Sequence, residues 1–259
     1  MKKIIKTPAF WVIISLIIFG LIAVLVLMKE EKYGYLLLSD ISSYKCTKKE
    51  CKKIENTKII EDTQKGNFQV FQNFESVGLY RVDYITKWNF FDSNNTWENI
   101  TSSYIAGTES LELEVKKYET RTMNPDELAI LQKHLNENDI TTYTSLEQNE
   151  VLEYDFNKNG KNEKIILASN VNDETDDEKL FAIVIQIVNN KSSVLHIDVY
   201  NQYENYEVPS YSIKGIISMF NQKEDHLILL KGYFSEVGLP STYLYKVEKN
   251  KFETLDNSK

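Results

Sequence analysis

An uncharged apolar run at residues 9–28 constrains this chain more than any other feature of its sequence. A helix rises about 1.5 Å per residue, so a run of this length spans the roughly 30 Å hydrocarbon core of a bilayer. A secretory signal peptide would have an apolar stretch of only about 7–15 residues and a cleavage site of small residues, and the run has neither property. The sequence therefore predicts a transmembrane signal anchor that is not cleaved.

The charges beside the run predict its orientation. Lys2, Lys3 and Lys6 precede it, whereas residues 29–32 contain two lysines and two glutamates. Because positively charged flanks stay in the cytoplasm, residues 1–8 are expected to form a cytoplasmic stub. The rest of the chain is then extracytoplasmic, in a single-pass protein of the cell membrane.

The part of the chain after the run is acidic. The whole chain has 30 basic and 38 acidic side chains, and three of the basic ones lie in the stub. Such a surface argues against binding to nucleic acid and favours cations or basic partners. About 230 residues remain after the run, which is enough for one large domain or two small ones.

Beyond the membrane anchor the sequence is typical of a mainly β protein. Short segments rich in Tyr, Val, Ile and Phe alternate with clusters of Asn, Asp, Gly and Lys, as strands alternate with turns. Segment 180–188 is apolar on both faces, so it is expected in the middle of a sheet.

One segment predicts a helix instead of a strand. Asn124 suits an N-cap, Pro125 suits the first helical position, and leucines then recur at helical spacing. We expect one amphipathic helix at about 125–137. It divides an N-terminal β region, residues 33–120, from a C-terminal β-rich region, residues 121–259, and the two can pack as one body.

The two cysteines, Cys46 and Cys51, flank a polar four-residue loop. If the flanking residues form a hairpin, the cysteines face each other at a distance that suits a disulfide, and an extracytoplasmic location permits oxidation. The alternative is two free thiols. A zinc or redox site is not indicated, because a second ligand pair is missing.

The segment DFNKNGKNE, residues 155–163, places oxygen atoms at alternate positions around a glycine, Gly160. Calcium binds six to eight oxygen ligands, and short loops supply them in this way. The candidate metal ligands are Asp155, Asn157, Asn159, the carbonyl of Lys161, and Glu163. The loop is not an EF-hand, because Ile166 stands where the bidentate glutamate should be.

This loop resembles the calcium loop of FG-GAP or integrin-type repeats, in which Asp-x-Asp-x-Asp-Gly-x-x-Asp precedes an apolar strand. Residues 217–255 resemble a second copy that has lost the glycine and most oxygen ligands. Asn stands for Asp at the third and fifth positions and Glu for Asp at the ninth, so the resemblance implies weak, structural calcium binding. The family usually builds seven-bladed propellers, and this chain is too short for one; a smaller propeller or a sandwich is expected.

A second interpretation of the loop needs no metal. Asn159-Gly160 between two strands is a strong signal for a tight hairpin turn. Both interpretations predict the same local structure and differ only in the ion.

Other candidate residues favour structural roles. The acidic run at 172–178 is typical of a solvated loop, and four tyrosines of segment 199–211 suit a sheet edge better than a sugar-binding platform; they are Tyr200, Tyr203, Tyr206 and Tyr211. The histidines His134, His196 and His226 are scattered and form no catalytic motif. We expect no enzyme activity.

The sequence thus predicts a membrane-anchored extracytoplasmic binding or interaction module that meets a protein or cell-wall partner, with calcium as a structural ion. One alternative is an accessory or sensory subunit that acts through its transmembrane helix. Another is a cell-envelope hydrolase.

Overall fold

The computed structural model describes residues 32–39, 42–56, 59, 67–84, 87–100, 104–141, 143, 145–170, 180–200, 209–233 and 240–255. The predicted stub and membrane anchor, residues 1–28, lie outside these ranges. No helix within the described ranges is long and apolar enough to span a bilayer.

The strands of the N-terminal part form one antiparallel sheet, here called the eight-stranded sheet. Its order is β3-β2-β1-β8-β4-β5-β6-β7, so β8 inserts between strands that are far earlier in the chain. The strands are β1 (Tyr33–Leu38), β2 (Ser42–Thr47), β3 (Cys51–Ile54), β4 (Asn67–Gln72), β5 (Glu75–Tyr84), β6 (Trp88–Phe91), β7 (Trp97–Glu98) and β8 (Ile105–Thr108).

Two five-stranded antiparallel sheets contain the remaining strands. The meander sheet keeps chain order and comprises β10 (Thr120–Arg121), β11 (Gln148–Tyr154), β12 (Glu163–Asn170), β13 (Leu180–Val188) and β14 (Lys191–Tyr200). The central sheet has the order β18-β17-β16-β15-β9 and comprises β9 (Glu114–Lys116), β15 (Pro209–Ser218), β16 (His226–Tyr233), β17 (Ser241–Glu248) and β18 (Lys251–Thr254).

The central sheet packs between the other two, because its strands are apolar on both faces. Ile228 and Leu244 belong to a buried cluster shared with the eight-stranded sheet, whereas Leu227 and Leu229 belong to one shared with the meander sheet. Successive side chains of a strand point to opposite faces, so one strand contributes to two cores. Within the described ranges the sheets are stacked and do not close into a ring of propeller blades.

The helix α1 (Pro125–Asn136) covers the outer face of the meander sheet. The Asn124 side chain accepts from the Glu127 backbone N–H at 2.9 Å, and the Glu127 side chain accepts from the Asn124 N–H at 3.0 Å. This capping box satisfies two backbone donors at the start of the helix. Leu131 and Leu135 are fully buried against the sheet. The predictions of a mainly β protein and of an amphipathic helix near 125–137 are confirmed.

Strands β9 and β10 connect the layers at the predicted boundary near residue 120. β9 pairs with β15 in the central sheet, and β10 pairs with β11 in the meander sheet. The chain therefore passes from one layer to the next within a few residues.

Candidate functional site

The predicted calcium loop connects β11 to β12. Its side-chain oxygen atoms accept hydrogen bonds from N–H groups of the loop's own backbone. The Asp155 carboxylate accepts from the N–H groups of Asn159 at 3.0 Å and Gly160 at 2.9 Å. Asn157 Oδ1 also accepts from the Asn159 N–H, at 3.1 Å. Asn159 Oδ1 accepts from the Lys161 N–H at 2.8 Å. β11 and β12 pair as a hairpin, as both interpretations predicted. The tight Asn159-Gly160 turn is not formed, because residues 155–162 all lie in the connection and the positive φ angles fall at Lys158 and Gly160.

Glu163, the last predicted ligand, is buried, with 2% of its surface exposed. Its carboxylate accepts from the Phe156 N–H at 3.0 Å and from Asn157 Nδ2 at 2.7 Å. Burial raises the pKa of this carboxyl group, and the nearby charge of Asp155 raises it further. A buried carboxylate with these properties is stabilised by a proton or by a cation.

The donor set of the loop fits calcium better than a softer metal, because every candidate ligand is an oxygen atom. The structure brings Asp155, Asn157, Asn159 and Glu163 into one loop, to which the Lys161 carbonyl also belongs. Only two of these groups are carboxylates. In the part of the chain that the structure describes, no cluster of three or more His, Cys, Asp or Glu side chains is arranged to hold a metal.

The turn before β16, in the segment that resembles a second repeat, packs directly against this loop. The Asp225 N–H donates to the Phe156 carbonyl at 2.8 Å, and the Asp225 carboxylate is buried. It accepts from the Tyr154 hydroxyl and pairs with the Lys158 ammonium. A protein side chain therefore supplies the positive charge at this second turn.

The predicted disulfide is confirmed. Cys46 and Cys51 are directly opposite each other across β2 and β3, their sulfur atoms are bonded, and their Cα atoms are 4.0 Å apart. Both residues are buried in the core between the eight-stranded and central sheets. The loop between the two cysteines contacts the connection between β15 and β16 of the central sheet. There Gln222 Nε2 donates to the Lys48 carbonyl at 2.6 Å.

The three histidines are packed against other side chains. His134 is hydrogen-bonded to Glu137 at 2.9 Å and to Ser192 at 3.0 Å. His196 stacks on Tyr211 with ring centres 5.2 Å apart and is hydrogen-bonded to Tyr245. Burial lowers the pKa of His196, and it lowers that of His226 to about 4. Both imidazoles are therefore neutral near pH 7.

Of the four candidate tyrosines, only the side chain of Tyr211 is described. Its hydroxyl donates to Asp198, whose carboxylate also pairs with Lys231 at 2.8 Å. Tyr211 is buried in the core between the meander and central sheets, so it contributes to packing. The acidic run at 172–178 and the side chains of Tyr200, Tyr203 and Tyr206 lie outside the described residues.

Sequence reasoning missed a groove at the junction of the eight-stranded and central sheets, here called the Phe74 groove. Its inner cavity has a volume of about 280 Å³, and an outer hollow of about 580 Å³ adjoins it. Both are lined by Asn73, Phe74 and Tyr118. Tyr104, Lys214 and Leu230 line the inner cavity. These residues come from five separate segments of the chain, so no local pattern predicts that they meet.

Comparison with known proteins identifies no relative. No protein-family model matches this sequence, and no match was found among curated proteins or among solved structures.

Proposed function

We propose that this chain is an extracytoplasmic binding module that residues 9–28 anchor in the cell membrane. The observation that carries the proposal is the Phe74 groove, a concave site lined by aromatic side chains and a few polar ones. Binding sites in proteins are typically concave, largely apolar and provided with a small number of polar groups. The groove lies where two sheets meet, and it is held by the stacked layers on either side.

An extracytoplasmic location is supported by two independent features. The first is the apolar run with its lysine-rich flank. The second is the Cys46–Cys51 disulfide, because such bonds persist mainly in oxidising compartments. In the cytoplasm, these two thiols would stay reduced.

The fold of the module is proposed as an open sandwich of three sheets, with the calcium loop of an FG-GAP-like repeat at one end. Calcium would bind weakly through Asp155, Asn157, Asn159, Glu163 and the Lys161 carbonyl. It would offset the charge of the buried Glu163 carboxylate and fix the β11–β12 hairpin. In this role calcium is structural.

The proposal is tested by photocrosslinking in living cells. A photoreactive p-benzoylphenylalanine is placed at Phe74 in the full chain, and the mass of each adduct is read by intact-protein mass spectrometry. The same label at Trp97, an exposed residue on edge strand β7, is the control. We expect a defined adduct from position 74 and not from position 97.

Replacing residues 9–28 by an unrelated membrane anchor separates this function from its main alternative. A tethered binding module keeps the adduct after the replacement, because the groove does not depend on the helix sequence. Loss of the adduct would instead indicate a subunit that acts laterally through its helix. An equal yield at positions 74 and 97 would overturn the binding proposal itself.

A further inference from the structure

The C-terminal turn of α1 places a histidine between a serine of β14 and a glutamate. His134 Nε2 lies 3.0 Å from Ser192 Oγ, and His134 Nδ1 lies 2.9 Å from Glu137 Oε2. These three residues are here called the Ser192 triad. Serine hydrolases join a nucleophile, a base and a carboxylate that orients the base by the same two hydrogen bonds, and such triads are recognised by geometry and not by chain order.

The helix and the meander sheet bring the three residues together. The turn Asn189-Asn190 joins β13 to β14, and shortly after it Ser192 pairs with Ile187. Ile187 packs on the face of the sheet that α1 covers. Directly opposed side chains of antiparallel strands share a face, so Ser192 lies on the helix side. Asn138 Nδ2 donates to the His134 carbonyl at 2.8 Å and holds the end of the helix.

The hydrogen bonds assign the proton of the imidazole. A carboxylate accepts hydrogen bonds and donates none, so the proton is on His134 Nδ1, which faces Glu137. His134 Nε2 is then an acceptor, and the Ser192 hydroxyl donates to it. This tautomer is the one that removal of the serine proton by a general base requires. His134 is buried, whereas Ser192 is partly exposed, so a substrate can reach the hydroxyl.

The backbone of β14 supplies a donor for an oxyanion beside the hydroxyl. The turn Asn189-Asn190 has φ angles of 52° and 60°, which are typical of a two-residue type I′ hairpin. In such a hairpin the closing pair, here Val188 and Lys191, exchanges both backbone hydrogen bonds, and the next pair exchanges none. The Ser192 N–H therefore points away from β13. Among the described strands β14 is an edge of the meander sheet, so a substrate oxygen can accept from this N–H.

A cavity of about 170 Å³ adjoins the Ser192 triad. It is lined by Ile187 and the turn Asn189-Asn190 of the same hairpin, and by residues 161–164. Because opposed side chains are about 5 Å apart, Ser192 lies next to the Ile187 side of this cavity. The size of the cavity suits an acyl group of a few carbon atoms.

We propose that Ser192 is the nucleophile of a hydrolase that acts on esters of short carboxylic acids. The Ser192 oxygen attacks the carbonyl carbon of the ester while His134 Nε2 takes the serine proton. The bond between the carbonyl carbon and the alcohol oxygen then breaks, and His134 gives that proton to the leaving alcohol. An acyl-enzyme remains on Ser192.

Water completes the reaction. It attacks the acyl carbon and gives one proton to His134, the acyl bond to Ser192 breaks, and His134 returns the proton to the serine oxygen. The products are one carboxylic acid and one alcohol. Glu137 acts as a positioning residue, because it fixes the tautomer of His134 and stabilises the imidazolium. This activity is additional to binding in the Phe74 groove and does not depend on it.

The nucleophile is tested by labelling the full chain in lipid nanodiscs with diisopropyl fluorophosphate. An activated serine displaces fluoride from this probe, and peptide mass spectrometry identifies the labelled residue. We expect one adduct per chain, at Ser192, and none in the Ser192→Ala or His134→Gln variants. Ser193→Ala is the matched control, since Ser193 is on the opposite face and accepts from Gln186 at 2.9 Å; it should be labelled like the unmodified chain.

Hydrolysis of p-nitrophenyl acetate and p-nitrophenyl decanoate measures the reaction and its acyl preference. The acetate should be the better substrate, and Ser192→Ala should lower its kcat/KM by at least about a hundredfold. Glu137→Gln should lower kcat by at least about tenfold with KM unchanged, because it acts on the transition state through His134. Asp126→Asn, an exposed change in the first turn of α1, should change neither value.

Melting temperatures show which variants are folded. Ser192→Ala removes one hydroxyl group and should melt with the unmodified chain, so its result decides the matter even if His134→Gln does not fold. No adduct at Ser192, or hydrolysis that Ser192→Ala leaves unchanged, would overturn the proposed activity. An unchanged kcat of Glu137→Gln would overturn the positioning role of that carboxylate.

Discussion

At the scale of single residues, the strongest electrostatic feature is the buried carboxylate of Glu127. It accepts two hydrogen bonds from the Arg121 guanidinium, both at 2.7 Å, and one from Lys164 at 2.8 Å. The Arg121 hydrogen bond is the main reason that the pKa of Glu127 falls to about 2. The network joins the start of α1 to strands β10 and β12, so it holds the helix on the meander sheet.

Glu127→Gln should destabilise the protein by about 2 kcal/mol at pH 7, because it weakens the hydrogen bonds that Arg121 and Lys164 donate to a buried carboxylate. The loss is moderate since both cations are partly exposed and keep Glu153 as a partner. The pKa of Glu127 is lower in the folded state than its ordinary value of 4.5. The contribution is therefore complete above pH 4.5 and is lost as the pH falls towards 2. Urea unfolding at pH 7 and at pH 3 measures both values, and the difference from the unmodified protein should be clearly smaller at pH 3.

Glu98→Gln is the matched control, since Glu98 is exposed on edge strand β7. It should change the free energy of unfolding by less than about 0.5 kcal/mol. An equally small effect of Glu127→Gln at pH 7 would contradict the assigned role of the network.

At the scale of elements, the sequence predicts those features whose chemistry is local. The Asn124 cap and the first-turn proline predict α1, and the helix ends within one residue of the expected position. Segment 155–163 predicts that β11 and β12 pair as a hairpin, although the connection is longer than the tight Asn159-Gly160 turn. The spacing of Cys46 and Cys51 predicts a second hairpin with its disulfide. In each case neighbouring residues determine the backbone.

Elements that depend on distant partners were not predictable. The β4–β5 turn has Phe74 where a glycine is usual, and its conformation is held by Tyr118, which is more than 40 residues away in the sequence. The β-bulge in β15, where the pairing with β16 shifts between Ile213 and Gly215, is likewise not predicted by the local sequence apart from Gly215. Both missed features belong to the Phe74 groove, which local sequence patterns did not indicate. The candidate metal site at 155–163 was indicated, because its residues are neighbours in the sequence.

Calcium should stabilise the β11–β12 hairpin. With a dissociation constant of about 10⁻⁴–10⁻³ M, 10 mM calcium should contribute at least about 1.4 kcal/mol and raise the melting temperature by roughly 3–5 °C. Asp155→Ala should abolish the rise, because it removes one of the loop's two carboxylates. Scanning calorimetry of the full chain, with and without calcium, measures the effect.

Asp83→Ala, an exposed change in the eight-stranded sheet, should leave the calcium response intact. If the unmodified protein shows no rise, the loop is a hairpin that needs no metal. The described fold would be unaffected, and calcium would have no structural role in this protein.

At the scale of the whole molecule, the order of strands and layers is the part that the sequence does not reveal. Apolar periodicity indicates which faces of a strand are buried, and it correctly places β13 between two neighbours with both faces covered. It does not show that β8 inserts between β1 and β4, or that β9 pairs with β15 about 100 residues later. The Phe74 groove exists only because these pairings stack two sheets at its site.

The proposed binding function depends on an extracytoplasmic location of the module. Its most direct test is the redox state of Cys46 and Cys51 in protein taken straight from growing cells. Thiols are trapped by acid, the protein is denatured, and a polyethylene glycol maleimide is added with or without prior reduction. A variant with both cysteines changed to serine fixes the unlabelled position on the gel.

We expect no label without reduction and two labels per chain after it, because an extracytoplasmic compartment keeps the disulfide oxidised. Two labels without reduction would mean that both thiols are free in the cell. That result would contradict the proposed location and, with it, an extracytoplasmic binding function.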